Sequence, residues 1–162
     1  MRYGNTGNTP EEIKQQVDDS KATASALGRR VKAGASAVAV ARSAEDEARA
    51  VVVEIIDHAD PDAVKAFGHE VKNAGKASPE GEGNWAKSSF EDLVQYNDGF
   101  KTNLIGTPDQ IAERIVALKD VDVDLALRAF LHFQEGVAYI GEKVIPRVRA
   151  LEAARERRAE AA

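Results

Sequence analysis

The chain has 162 residues, with 27 acidic against 22 basic residues and no cysteine, and 28 of its residues are alanine. Only 37 residues are Leu, Ile, Val or Phe, so one domain with a thin core is expected at this length. A disulfide framework and a zinc–thiolate site are excluded, the acidic balance disfavours nucleic acid, and no apolar run approaches the ~20 residues of a membrane span, so we expect a cytoplasmic protein.

The first predicted helix begins at residues 9–12, Thr-Pro-Glu-Glu, which combine an N-cap threonine, a proline at the first helical position and a glutamate that closes a capping box. Gly28 is a fitting end for this helix. The same start recurs 98 residues later at 107–110, Thr-Pro-Asp-Gln. Either good helix starts resemble one another, or the chain repeats a strand–helix unit.

Two longer segments, 31–41 and 123–131, are predicted to be strands, and a short strand is predicted near 103–105. Both longer segments are almost continuously apolar. Such strands, separated by helices, are typical of a parallel sheet that is covered on both faces.

Further helices are predicted between and after these strands. One begins at Ser43, restarts at residues 60–62 (Asp-Pro-Asp) and ends at Gly75; another spans 85–96 after a polar loop at 76–84. The last begins near Glu135, and Pro146 should kink it or end its regular part. An α/β sheet usually has about four to six strands, so these helices have more apolar surface than two or three strands can cover. The sequence therefore predicts part of a larger sheet.

Several motifs carry a resemblance to a known family. They are Gly-Thr-Pro-Asp-Gln-Ile-Ala at 106–112, Val-Asp at 123–124, Val-Ile-Pro at 144–146, Gly-Asn-Thr-Pro-Glu-Glu at 7–12, Ala-Arg at 41–42, and Phe-Glu-Asp-Leu-Val-Gln-Tyr-Asn-Asp-Gly at 90–99. Together they resemble the carboxyl-terminal end of the bacterial luciferase-like flavin-dependent monooxygenases. They are most like the dimethyl-sulfone monooxygenase branch, which is related to the alkanesulfonate monooxygenases.

The resemblance implies an α/β fold, the portion of a TIM (β/α)₈ barrel from about the end of strand 6 to helix 8, helix-rich and with an incomplete sheet. Such barrels have about 250 residues, so a carboxyl-terminal fragment is expected. Residues 1–162 would be one partial barrel domain, with a lid or insertion region at 76–102 and an exposed helical tail at 152–162.

The resemblance also implies a cofactor and partners. Reduced FMN would come from a separate flavin reductase and act with O₂ on a small organosulfur substrate such as dimethyl sulfone, without a metal. The family holds the flavin phosphate mainly in loops after earlier strands. We therefore expect this chain alone to be inactive, or nearly so, and to pair with a missing amino-terminal half or with another copy of itself.

His132, at the end of the second long strand, is the predicted catalytic residue, because active sites of such barrels lie at the carboxyl ends of strands. The alternative is a packed, partly buried histidine. Phe130 stands where the alkanesulfonate enzymes have Tyr, which leaves it only stacking. Those enzymes carry Arg and His at the positions of Ser36 and Val38, so a neutral sulfone suits this chain better than an anionic sulfonate.

Other candidates have an ordinary alternative beside the functional one. Trp85 and Lys101 are predicted to contact the flavin, or else to anchor a loop and to be a solvated lysine. Asn8 is predicted to contact substrate, or else to belong to an ordinary turn. We expect His58 and His69, and the arginines between 147 and 158, to face solvent.

Two other functions stay open from the sequence. One is a non-catalytic half-barrel that self-associates to cover its open sheet edges. The other is an unrelated small α/β binding domain, which strands that are not parallel neighbours would favour.

Overall fold

The computed structural model describes residues 2–3, 10–76, 88–94 and 99–161. Its strands are β1 Arg2–Tyr3, β2 Ala33–Ala41, β3 Leu104–Gly106 and β4 Leu125–Ala129, and all pairings are parallel. β2 is central, because β1 pairs with its beginning, β3 with its end and β4 with residues 34–38. β2 and β4 are thus parallel neighbours, which does not favour the unrelated small domain.

The helical elements connect and cover these strands. They are α1 Pro10–Ala26, α2 Glu45–Asp57, α3 Pro61–Gly75, α4 Phe90–Leu93, a 3₁₀ turn Gly99–Thr102, α5 Pro108–Asp120, α6 Phe133–Tyr139, a π-helical turn Ile140–Val144 and α7 Ile145–Glu160. None of the described helices has both the length and the apolar character that crossing a membrane requires.

The three predicted strands are confirmed with slightly different ends, but several helix boundaries are wrong. Ala44, not Ser43, is the N-cap of α2. Residues 88 and 89 are not helical, and α4 begins at Phe90 because the Ser89 hydroxyl accepts a hydrogen bond from the Asp92 backbone N–H, 3.2 Å away. The last helix begins at Phe133 rather than at Glu135.

The prediction that Pro146 disturbs the last helix is confirmed in a particular form. Proline has no backbone N–H to donate to the preceding turn, and the π-helical turn Ile140–Val144 lies directly before it. Ile140 and Val144 of this turn remain buried in the core. The helix is therefore π-helical for one turn before the proline and then continues as an α-helix to Glu160 instead of ending.

The alanine face of β2 lies at the centre of the main core. Ala33, Ala37, Ala39 and Ala41 pack in one cluster with the buried residues of α1, α5, the π-helical turn and α7, which are Ile13, Val17, Ile111, Ala112, Val116, Leu118, Ile140, Val144 and Val148. On the opposite face, Val40 packs against Ala48 and Ile105. β2 is therefore covered on both faces, as its unbroken apolar sequence predicts.

The motif at 106–110 fixes the turn from β3 into α5. Gly106 has φ +144°, and a Cβ there would lie 2.5 Å from the side-chain oxygen of Gln110. The Thr107 N–H donates to that oxygen at 2.9 Å, and the Gln110 N–H donates to the Thr107 hydroxyl at 3.3 Å. The predicted capping box is thus confirmed at α5, whereas Thr9, its counterpart before α1, lies outside the described residues.

Ion pairs join α5 to α7. Arg147 Nε lies 2.7 Å from Asp109 Oδ1, Lys119 Nζ lies 2.6 Å from Glu152 Oε1, and Arg155 Nη1 lies 2.6 Å from Asp120 Oδ1. The arginines between 147 and 158 were expected to face solvent, and the side chains of Arg147 (41% exposed) and Arg155 (51%) do so while also pairing with carboxylates of α5. These pairs sit where two helices cover the same core.

The side of the molecule that carries β4 is open. Within the described part of the chain, β4 pairs only with β2. Leu125 is 37% exposed, Leu131 56%, Phe133 67% and Val137 46%. The structure is therefore a helix-rich α/β arrangement with an incomplete parallel sheet.

Candidate active site

A cavity of about 180 Å³ lies at the carboxyl ends of β2 and β4. Its walls are mostly apolar, with a few polar side chains among them. The lining residues are Ala39, Val40, Ala41, Arg42, Val51, Phe130, Leu131, His132, Glu135, Gly136, Tyr139 and Ile140. This is the end of the strands at which TIM barrels place their active sites.

His132 lies at this cavity as the N-cap of α6, just past β4. Its backbone carbonyl accepts a hydrogen bond from the Gly136 N–H at 2.8 Å, which begins the helix. The residue is exposed, so the alternative of a packed, partly buried histidine is wrong. His132 is both exposed and one of the residues that line the cavity, which the catalytic prediction requires.

Phe130 forms a wall of the same cavity. It is half-buried, and its ring meets that of Phe133 edge to face, with 6.1 Å between the ring centroids and 70° between the planes. A Cβ at Gly136 would lie 2.5 Å from the Phe130 ring. Because residue 136 has no side chain, α6 can approach the Phe130 ring closely. His132, the N-cap of α6, therefore lies near Phe130.

Ser36 lies deeper along β2 and does not line the cavity. Its backbone carbonyl accepts a hydrogen bond from the hydroxyl of Thr102 at 2.6 Å, and Thr102 is fully buried. Because a strand rises about 3.3 Å per residue, Ser36 is roughly 13 Å from Val40 at the cavity. The structure therefore does not bring Ser36 together with His132.

Lys101 is neither solvated nor part of the cavity. Its side chain is only 10% exposed, and its Nζ lies 2.8 Å from the Ser88 hydroxyl and 3.5 Å from Asp92 Oδ2. It lines a separate, shallow groove with Phe100 and Val52. The interpretation as a solvated lysine is thus wrong, because the charge of Lys101 is held by Asp92.

Two predicted site residues, Trp85 and Asn8, lie outside the described residues, as do 77–87 and 95–98 of the predicted lid region. The exposed positions of His58 and His69 are confirmed. No group of three or more His, Cys, Asp or Glu residues that could hold a metal ion occurs within the described ranges.

Sequence reasoning missed three polar residues of the cavity, Arg42, Glu135 and Tyr139. A signal for each was available. Arg42 directly follows a predicted strand, at the end where barrel active sites lie. Glu135 and Tyr139 follow His132 at helical spacings of three and seven residues, which places them on one face.

The Val-Asp pair before β4 has a structural explanation away from the cavity. The Asp124 N–H donates to the Ala33 carbonyl and the Ala33 N–H donates to Asp124 Oδ2, each at 2.9 Å. The hydrogen bond from Ala33, with the charge of Lys21 in addition, lowers the pKa of Asp124. This pair fixes the register of β4 on β2 at the opposite end from His132.

Comparison with known proteins gives consistent matches. The family model for luciferase-like monooxygenases matches residues 3–125. The chain is 68% identical over 157 residues to an FMNH₂-dependent dimethylsulfone monooxygenase of Pseudomonas putida, which covers 97% of this chain and 43% of that protein. It is 66% identical to the protein of the same name from Pseudomonas fluorescens (strain Pf0-1), covering 93% and 42%. The chain thus spans less than half the length of these relatives.

Two solved structures share the fold. Riboflavin lyase, solved with modified FMN and its substrate riboflavin, superposes with a TM-score of 0.68 at 21% identity, covering 93% of this chain and 38% of that one. EDTA monooxygenase from Chelativorans sp. BNC1 superposes with a TM-score of 0.58 at 20% identity, covering 93% and 42%. These matches confirm the expectation of a partial TIM-barrel fold.

Proposed function

The chain belongs to the luciferase-like monooxygenase family, and from this we propose that it is the carboxyl-terminal part of a monooxygenase that uses reduced FMN and O₂ to oxidise a small organosulfur compound such as dimethyl sulfone. The observation that carries the proposal is the 68% identity, over 97% of the chain, to the P. putida dimethylsulfone monooxygenase. The cavity at the carboxyl ends of β2 and β4 lies where this chemistry would need it.

His132 is the catalytic residue of the proposal. Its exposed imidazole at the cavity can orient the substrate or the flavin, and it can hold or move a proton near pH 7. Phe130 supplies an aromatic wall for stacking. Trp85 and Lys101 in the 76–102 region, with Asn8 and Ser36, remain proposed contacts of flavin and substrate; for Lys101 and Ser36 this requires that the completed barrel bring the ligand to them.

The cavity fits part of a flavin. Val40, Val51 and Phe130 offer apolar and aromatic surface to a flat ring, but the cavity of about 180 Å³ is smaller than the roughly 300 Å³ at the lower end of small-molecule sites. When bound, reduced FMN supplies the electrons and the reactivity toward O₂, and a separate reductase would deliver it. We therefore propose that this chain alone binds FMN weakly and is inactive or nearly so.

The domain organisation belongs to the same proposal. Residues 1–162 form one partial barrel domain, 76–102 act as its lid or insertion region, and 152–162 extend as an exposed helical tail. Of this tail, residues 152–154 are half-buried, with Glu152 paired to Lys119, and the described residues from Arg155 onward are exposed. The open side of β4 would pair with the amino-terminal half of the barrel.

The test is reconstitution. The chain is expressed together with the segment of the P. putida relative that lies upstream of the matched part, and dimethyl sulfone oxidation is measured with a flavin reductase. We expect activity only when the segment is present. His132→Gln should lower this activity at least about a hundredfold, the usual contribution of one acid–base group. The control is His58→Gln, which changes an exposed histidine at the end of α2 and should leave the activity unchanged. Low-micromolar FMN binding by the chain alone, or an unaffected His132→Gln, would refute the proposal.

A second candidate function is a non-catalytic half-barrel that self-associates. The exposed Leu131, Phe133 and Val137 favour it, because such apolar side chains are usually covered by a partner. Sedimentation velocity distinguishes the cases. A concentration-dependent dimer without reconstituted activity supports the second candidate, and a compact monomer at all concentrations counts against it.

A further inference from the structure

Arg42 is the cation of the cavity. It is half-buried at the end of β2, where its backbone N–H donates to the Gly106 carbonyl at 3.1 Å. Of the five N–H donors on a guanidinium, one at Nη1 donates to the Ala41 carbonyl at 2.8 Å. Among the described residues no carboxylate lies within ion-pair distance of Arg42, so its other donors are available to a ligand.

The surroundings of Arg42 limit what that ligand can be. Val40, Val51 and Phe130 line the same cavity as Arg42 and give it apolar surface, and its volume of about 180 Å³ admits only a small molecule. A sulfonyl group offers two acceptor oxygens on one atom, which suits the forked donors of Arg better than the point charge of Lys. Its alkyl substituents would contact the apolar surface.

We propose that Arg42 binds the sulfur-bound oxygens of the ligand in this cavity, in a sulfone or in a sulfonate. The inference rests on the proposed function for its substrate class. Arg42 lies six residues beyond Ser36, or roughly 20 Å along the strand, and is therefore a different position from the one at which the alkanesulfonate enzymes carry their arginine. It is a specificity-determining residue of this cavity.

The other charged and titratable groups at the cavity bear on the choice between the two ligands. Glu135 and His132 project from α6 and Tyr139 follows on the same helix, while Arg42 is the only Lys or Arg that lines the described cavity. The carboxylate of Glu135 opposes a full negative charge but scarcely affects a neutral sulfone. Arg42 with Glu135 therefore favours dimethyl sulfone over methanesulfonate more than Arg42 alone would.

The experiment is a titration of the purified chain followed by NMR, with the methyl signals of Val40 and Val51 as reporters. The probes are dimethyl sulfone, methanesulfonate and dimethyl sulfide, which lacks the oxygens. We expect saturable shifts with dimethyl sulfone and none with dimethyl sulfide. Arg42→Gln should weaken sulfone binding by at least about tenfold, and Arg42→Lys should lie between Arg42→Gln and the unchanged chain.

The matched control is Arg149→Gln, the same substitution at an exposed residue of α7, which should leave the titration unchanged. Glu135→Gln should strengthen methanesulfonate binding and leave sulfone binding as it was. Equal affinities in Arg42→Gln and the unchanged chain, or no saturable shift with either oxygenated probe, overturn the inference. Those results would leave the reconstitution test unaffected, because that test measures oxidation and not contacts of Arg42.

Discussion

Two sides of the molecule differ in how completely they are covered. On the sealed side, which we define as the alanine face of β2 with α1, α5 and α7, the core residues are buried and three ion pairs join α5 to α7. On the open side, which we define as the segment from β4 to the end of α6, four large apolar residues are exposed. The cavity with His132 lies on the open side. The cavity nevertheless borders the core, because Ala39, Ala41 and Ile140 belong to both.

The largest expected effect is a difference in unfolding free energy between two Leu→Ala variants, one in the core and one beside the cavity. Leu104 is 0% exposed in the core and Leu131 is 56% exposed beside the cavity. Leu104→Ala should lower the free energy of unfolding by about 3 kcal/mol, because it leaves a cavity, and Leu131→Ala by less than about 0.5 kcal/mol. Urea denaturation measures both. Equal losses would show that the two sides are equally packed.

A smaller effect on the unfolding free energy is expected from replacing two glycines, Gly106 and Gly141, by alanine. Gly106→Ala should cost about 1–3 kcal/mol of unfolding free energy, because the residue has φ +144° and its new Cβ would meet the Gln110 side chain. Gly141→Ala is the control, since nothing lies within 4 Å of a Cβ there and no positive φ is involved. Alanine favours a helix, so this variant should be unchanged or slightly more stable. A stable Gly106→Ala variant would contradict the role of the motif.

The free energy of unfolding should depend on pH through Asp124, which holds β4 on β2. The hydrogen bond from Ala33 lowers the pKa of Asp124 below its ordinary 3.8. Its carboxylate therefore stabilises the fold fully above the unfolded-state pKa, and this contribution is lost as the pH falls through the folded-state pKa. Asp124→Asn should be less stable than the unchanged chain at pH 7, with the difference shrinking toward pH 2. Urea midpoints across this range test it, and a constant difference would refute it.

The smallest effect is expected at the ion pairs of the sealed side. Arg147 lies 2.7 Å from Asp109, and both side chains are largely exposed. Such pairs contribute about 0.2–1 kcal/mol and are screened by salt. Arg147→Gln should therefore lower the urea midpoint slightly at low salt and not at about 1 M salt. A salt-independent loss would mean that the arginine stabilises α7 by packing.

What the sequence predicted well is local. The capping box at Thr107, the helix restart at residues 60–62 and the Gly28 helix end depend on residues within a few positions of each other, and the structure contains all three. The strand predicted at 31–41 and observed at 33–41 was also recognisable from its continuous apolar sequence, because covered parallel strands need no polar alternation.

What the sequence could not predict depends on partners far along the chain. The buried Lys101 is bound by Ser88 and Asp92, and Arg147 pairs with Asp109 on another helix. At the candidate site, His132 was predicted from its place at a strand end and Phe130 from the family resemblance, and both line the cavity. The position of Arg42 after a predicted strand was visible in the sequence, but only the pairing of β2 with β4 shows that Arg42 shares a cavity with Phe130 and His132.

Amide hydrogen exchange tests most directly whether the free edge of β4 pairs with the rest of a barrel, as we propose. In the isolated chain we expect strong protection in β2 and weak protection of the β4 amides that do not face β2, at residues 125–129. Addition of the upstream segment of the P. putida relative should slow exchange in β4 at least about tenfold, because those amides gain strand partners. Full protection of β4 in the isolated monomer would contradict the account.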